Sequence, residues 1–170
     1  MGARPIRGLA VIIAAVGAAV APGGDPLPRA TLPAPVAEAV RGLFPRGPIV
    51  AVLYDDTDGG REYEAHLKVN GRDAYVVALE NGVVLETGLA LDEQATPAPV
   101  RETLRREAPE GGFVAECFRR ELHRAPDGQP LNAPCVFYEI TLGFGRDERF
   151  LAINADGALR PLPAPPAEEE

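Results

Sequence analysis

The chain has 170 residues, 46% of them hydrophobic, and a formal net charge of −8. That length suits one ordinary domain or two small ones, and the negative charge excludes a nucleic-acid binder that works by neutralising phosphates. The chain contains no Ser, which excludes a serine nucleophile, and none of its Gly pairs is followed by the Lys-Ser/Thr of a phosphate-cradling loop.

The first 21 residues read as an export signal. Arg4 and Arg7 supply the positive start, Leu9 to Ala21 is an unbroken run of apolar residues and Gly, and Ala19-Val20-Ala21 offers a small-x-small cleavage site. The run is short for a membrane span, so cleavage is the first reading and a retained anchor the second. No Cys follows it, which argues against a lipid-modified protein. Residues 22–31 are a Pro/Gly-rich tether without periodicity.

A first unit is expected over residues 32–95. Pro33 and Pro35 suit the opening turn of a helix. Val36, Val40 and Leu43 then fall at helical spacing, and Pro45 stops the helix because the residue before a proline resists helical geometry. Strands follow at 49–54, 62–69, 74–79 and 83–86. Asn70-Gly71 and Asn81-Gly82 supply hairpin turns between them. A second unit over residues 96–160 repeats this plan. Thr96 is placed to cap a helix that begins at Pro97 and ends at Pro109, with Val100, Leu104 and Ala108 on its buried face. Strands follow at about 113–122, 134–143 and 148–154, with a short one after Gly157. Residues 161–170 (PLPAPPAEEE) can bury nothing and are expected to be disordered.

The two units match residue by residue. Pro33, Pro35, Val36, Val40 and Pro45 recur 64 positions later as Pro97, Pro99, Val100, Leu104 and Pro109. Tyr63-Glu64-x-x-Leu67 recurs 75 positions later as Tyr138-Glu139-x-x-Leu142, and Asn81-Gly82 matches Asp156-Gly157 at the same offset. Kept order with one change of offset is the pattern of a duplicated folding unit, with the 11 extra residues expected in the loop between the first two strands of the second copy. Tyr63 and Tyr138 then read as rings that cover the helices. Glu64 and Glu139, their neighbours, face the other way.

Cys117 and Cys135 are the only cysteines. In an exported protein two thiols tend to pair, and their midpoint falls inside the turn-like Ala125-Pro126-Asp127-Gly128. A bridge there would contribute about 3 kcal/mol in the chain-entropy model; two unpaired core thiols are the other reading. Asp55, Asp56 and Asp58 could hold Ca²⁺ through carboxylate oxygens. The EF-hand spacing fails, however, because Arg61 stands where Gly is required, so a hairpin turn is the competing reading. His66 and His123, 57 residues apart, have no further ligands spaced for zinc. Arg101, Arg105 and Arg106 form a basic stripe that Glu102 and Glu107 interrupt, as on a solvated helix face.

The Pro-x-x-Val helix with its closing Pro, the Tyr-Glu-x-x-Leu strand, the strand after it and the Asn/Asp-Gly turn together resemble the PepSY-like family. These domains are also described as beta-lactamase-inhibitor-like, or BLIP-like. The resemblance covers most of residues 32–160. It implies an exported, periplasmic or cell-envelope protein, in tandem α/β form, that seats a sheet against a protein partner. Unlike the inhibitor, this chain has no Trp.

The expectation is therefore an α+β fold of two tandem units, each a helix followed by a four-stranded antiparallel meander, with the helices on one side. The function expected is a monomeric, non-catalytic binding module, with Tyr54, Phe118 and Phe144 as candidate contacts and a hydrolase or peptidase as candidate partner. The alternative is a small-ligand or cation sensor built on the Asp55–Asp58 loop. No cofactor and no enzymatic activity are expected.

Overall fold

A computed structural model of the chain describes residues 32–57, 59–125 and 128–161. The expected signal segment and tether lie outside these residues, as does nearly all of the expected tail.

Helix α1 (Ala34–Leu43) is followed by strands β1 (Ile49–Thr57), β2 (Gly60–Val69), β3 (Arg72–Leu79) and β4 (Val84–Ala90). A short 3-10 turn (Glu93–Ala95) leads into helix α2 (Ala98–Glu107). Strands β5 (Phe113–Arg124), β6 (Pro130–Phe144), β7 (Asp147–Asn154) and β8 (Leu159–Arg160) complete the order. Each helix opens with Pro in its first turn and stops one residue short of the next proline, as the steric bar before proline requires. Thr96 does not cap α2. Pro97 holds that position, and the Thr96 hydroxyl instead closes the preceding turn by donating to the Glu93 carbonyl at 2.7 Å.

The expectation of two tandem helix-plus-meander units is not met. The strands form one eight-stranded antiparallel sheet in chain order, because β4 and β5 pair directly, from Glu86–Leu122 to Ala90–Phe118. The reason is the edge. A free-standing meander would leave the outer backbone groups of β4 without partners, and pairing with β5 satisfies them.

The extra residues of the second half also lie elsewhere than expected. Most of them lengthen β5 and β6 into a long hairpin, and the rest lie in the connection between these strands. Between the pairs Leu122–Cys135 and Arg124–Pro130 the register is irregular, with Leu131 to Pro134 set against His123. Pro134 has no N–H to give a ladder, and such positions are resolved as bulges.

Side chains alternate across the sheet, and both helices cover the same face. Val36 and Val40 of α1 pack on Tyr63, Ala65, Leu67, Ala74, Val76 and Ala78. Val100 and Leu104 of α2 pack on Cys117, Tyr138, Ile140, Leu142, Leu151 and Ile153. The register runs this face without a break across the joint, as in the row Val76–Thr87–Glu121–Val136. Both tyrosines therefore take the helix-covering place expected of them. Two glycine turns lock the helices down. Gly82 (φ +84°) lies against the Pro35 carbonyl and Gly157 (φ +90°) against that of Pro99, with room for a Cβ at neither. No helix among the described residues lies on the opposite face.

Candidate functional site

The uncovered face is built in cross-strand rows. One row is His66–Tyr75–Gly88–Arg120–Phe137–Asn154, one residue from each of β2 to β7. Gly88 is its hinge. The Tyr75 ring lies flat across it, and a methyl at that position would collide with the ring. A glycine inside a strand marks a close approach of this kind. Its absent side chain lets Tyr75 reach over β4 toward β5, where Phe118 meets it with ring centroids 6.2 Å apart.

Arg120 stands at the centre. Its side chain is only 12% exposed. The Nε donates to Glu86 Oε1 at 2.7 Å, and Nη1 donates to Glu139. The guanidinium lies 5.9 Å from the Tyr75 ring centroid and 5.4 Å from that of Phe137, within the range of a cation–π contact. Burial opposes the charge, but Glu86, Tyr75 and Glu139 more than offset it, so the group is held firmly as a cation. The Tyr75 hydroxyl donates to Glu86. Burial, and then the Glu86 charge, raise its pKa far above the phenol range and keep it a donor. A second cation lies beside the first: Arg160 sits 4.4 Å from the Phe137 ring centroid and 3.1 Å from the Cys135 sulfur.

Around this rigid centre the face is apolar on one side and acidic on another. Phe113 (60% exposed) lays its ring over Gly143, and Phe150 (49% exposed) stands on β7 opposite Thr141. Along the first half of β5, beside Phe113, is a cleft of about 370 Å³, lined by Asp73, Ala90, Asp92, Glu93, Glu116 and Phe118 among others. Partial burial, then the neighbouring Glu148, Asp73 and Glu139, raise the Glu116 carboxyl pKa above its ordinary value. Such a surface offers fixed rings, paired charges and an acidic pocket. Its tyrosine is tied up by Glu86 and its arginine by two carboxylates.

Solved structures with a similar fold include three from Bacteroides. A BLIP-like protein from Bacteroides fragilis is 19% identical with a TM-score of 0.55, covering 81% of this chain and 86% of its own. A DUF2874 family protein from Bacteroides ovatus is 17% identical with a TM-score of 0.58, covering 76% and 85%. A provisionally periplasmic protein from Bacteroides eggerthii is 14% identical with a TM-score of 0.60, covering 76% and 86%. The fold is BLIP-like. No family model matches the chain, and no curated protein does, so the likeness is one of fold.

The three candidate contact residues do not converge. Phe118 is on the BLIP-like sheet's open face beside Tyr75. Tyr54 sits on the helix-side face of β1, against Tyr63 and under the Arg61 guanidinium. Phe144 lies at the β6–β7 hairpin, and its alternation with Leu142 puts it on the helix side too.

The cysteines are not bridged. Cys117 pairs with Ile140, and Cys135 pairs with Leu122, five residues further along β5. An odd offset places them on opposite faces, and five residues of strand is about 16 Å, beyond any disulfide's reach. Burial, then the Glu93 charge, push the Cys117 thiol up to about 11.

Asp55 and Asp56 are consecutive on β1 and so point to opposite faces. Asp56 is held by Arg61 at 2.7 Å, which lowers its carboxyl pKa. Asp58 lies outside the described residues, and among these no three His, Cys, Asp or Glu gather as a metal-holding group. The face's centre (Gly88, Arg120, Glu86) was missed from sequence. The one legible sign was a glycine in the middle of a strand pattern.

Proposed function

We propose that this chain is an exported, non-catalytic binding module that presents the open face of its sheet to a protein partner. The observation that carries the reading is Arg120, desolvated between two aromatic rings at the middle of a face that no helix among the described residues covers. Buried arginine and aromatic anchors ringed by less critical contacts are what protein interfaces concentrate their binding energy in. Exposed Phe113 and Phe150 supply apolar area beside it. Export is supported by the signal-like first 21 residues and by the provisionally periplasmic neighbour. No helix among the described residues is long and apolar enough to cross a membrane. The BLIP-like neighbour makes a hydrolase or peptidase the partner to look for first. The duplicated ancestry that goes with this reading is supported by the equivalent Gly82–Pro35 and Gly157–Pro99 contacts.

The test compares immobilised wild-type protein with Phe150→Asp, on the open face, and Leu43→Asp, on α1, in envelope extract from the native host. A partner retained by the wild type and by Leu43→Asp but lost with Phe150→Asp fits the proposal. Equal retention by all three, or retention sensitive only to Leu43, would refute it. If the partner is a hydrolase, adding the wild-type protein at equimolar ratio should lower its turnover.

A further inference from the structure

The two ends of the sheet are guarded very differently. At one end β8 is two residues long and carries Arg160. A short, charged strand is a usual defence of a sheet edge. At the other end β1 runs for nine residues, and among the described strands only β2 lies beside it. Alternate N–H and C=O groups of β1 therefore point away from β2, with no strand among the described residues to receive them. Four of the eight large apolar side chains exposed among the described residues belong to this one strand: Ile49, Val50, Leu53 and Tyr54. Its bulge falls between Ile49 and Ala51, and it has neither Lys nor an internal Pro. The run Ala51–Tyr54 is thus a regular, apolar and unprotected template.

We infer that the β1 edge receives an extended segment of another protein as a ninth antiparallel strand, and that this segment carries a basic side chain opposite Asp55. The inference is independent of the open face. Free backbone groups select an extended chain, since only a strand can pair a whole row of them. Charge selects its type. Asp55 is exposed and enters no ion pair or hydrogen bond among the described residues, whereas Asp56 is taken by Arg61. A second copy of β1 would bring four carboxylates and no cation into one short ladder, in a chain of net charge −8. A partner strand alternating apolar and basic residues would set its apolar side against Val52 and Tyr54. Its basic side would then stand against Leu53 and Asp55.

The probe is an acetylated decapeptide of alternating valine and lysine, titrated into the isotope-labelled full chain and followed by amide NMR. A matched peptide with glutamate for lysine is the control. Shift changes and slowed amide exchange should be confined to β1, with the glutamate peptide about tenfold weaker from the reversed cross-strand charges. Asp55→Lys should invert that preference. Proline at Val52 and at Leu53 gives a second check. The substitution whose N–H faces outward should keep the circular dichroism of the wild type and abolish peptide binding. Equal binding of both peptides, shifts spread over other surfaces, no inversion with Asp55→Lys, or β1 amides already protected in a sedimenting dimer would each overturn the inference.

Discussion

Arg120 is the residue on which the open face turns, and its energetics follow from what surrounds it. Glu86 and Glu139 are as enclosed as the arginine, with side chains 14% and 19% exposed. Removing the cation leaves the Glu86 and Glu139 carboxylates without their charge partner. Arg120→Met should therefore cost about 2–3 kcal/mol in urea denaturation, near the low end for a broken buried pair because some water reaches the site. Adding Glu86→Gln and Glu139→Gln should recover most of that loss, because the penalty is unpaired charge rather than lost volume. A cost for Arg120→Met no larger than that of exposed Arg105→Met would show the network to be energetically idle.

Cysteine chemistry at the same scale separates the two thiols. Cys117 is buried under α2, and Cys135 lies half-exposed beside Arg160. Iodoacetamide at pH 8 should alkylate Cys135 in the native protein and Cys117 only after unfolding, with no bridged species on a non-reducing gel. The sign of the pH effect follows. The Cys117 pKa is raised on folding, from the usual 9 to about 11. Its contribution to stability is thus complete below pH 9 and fades as pH climbs through 11. Cys117→Ala should flatten the alkaline slope of Tm over that window. An unchanged slope would mean that the thiol ionises freely in the folded chain.

Among the elements, the helix-to-turn locks make the sharpest claim. Gly82 and Gly157 each combine a positive φ with a carbonyl oxygen 2.8 Å from where a Cβ would sit, belonging to Pro35 and Pro99 respectively. Gly111 has a positive φ as well (+75°), but open space around it. Gly111→Ala should lose only the left-handed penalty, about 1 kcal/mol. Gly82→Ala and Gly157→Ala should each lose at least about 2 kcal/mol, because the helix must also back away from its turn. Three equal losses by thermal unfolding would mean that the turns do not hold the helices.

The same elements show what the sequence could and could not disclose. Both helices and the turns at Asn70-Gly71, Asn81-Gly82 and Asp156-Gly157 were readable, because proline sterics and positive φ are local demands. Asn70 itself adopts a φ of 52°, as a two-residue hairpin turn asks. The pairing of β4 with β5 was not readable. Strand patterning states that an edge exists but not which edge will cover it. The disulfide reading failed for a related reason. It assumed an unbroken hairpin about residue 126, whereas the Pro134 bulge moves the register and turns Cys135 to the other face. The open-face centre was hidden because Arg120 and Glu86 are 34 residues apart in the chain, and only the sheet makes them neighbours.

At the scale of the molecule the question is whether two apolar clusters make one cooperative unit. Each lies under its own helix, and no buried residue belongs to both. A half of about 65 residues would be marginal alone. What joins the halves is the five-pair β4–β5 ladder, the Tyr75 ring lying across Gly88, and Arg120 bound to Glu86 on one side and Glu139 on the other. Severing that joint would expose two strand edges and strip the arginine of one carboxylate, a cost neither small core could bear by itself. Unfolding should therefore be a single transition. Val36→Ala, about 2 kcal/mol of lost packing under α1, should lower native-state amide protection equally at Val76 and at Ile140 across the joint. Protection lost at Val76 with Ile140 unmoved would show that the halves open separately. The β4–β5 ladder would then be a contact between two stable units rather than the seam of one.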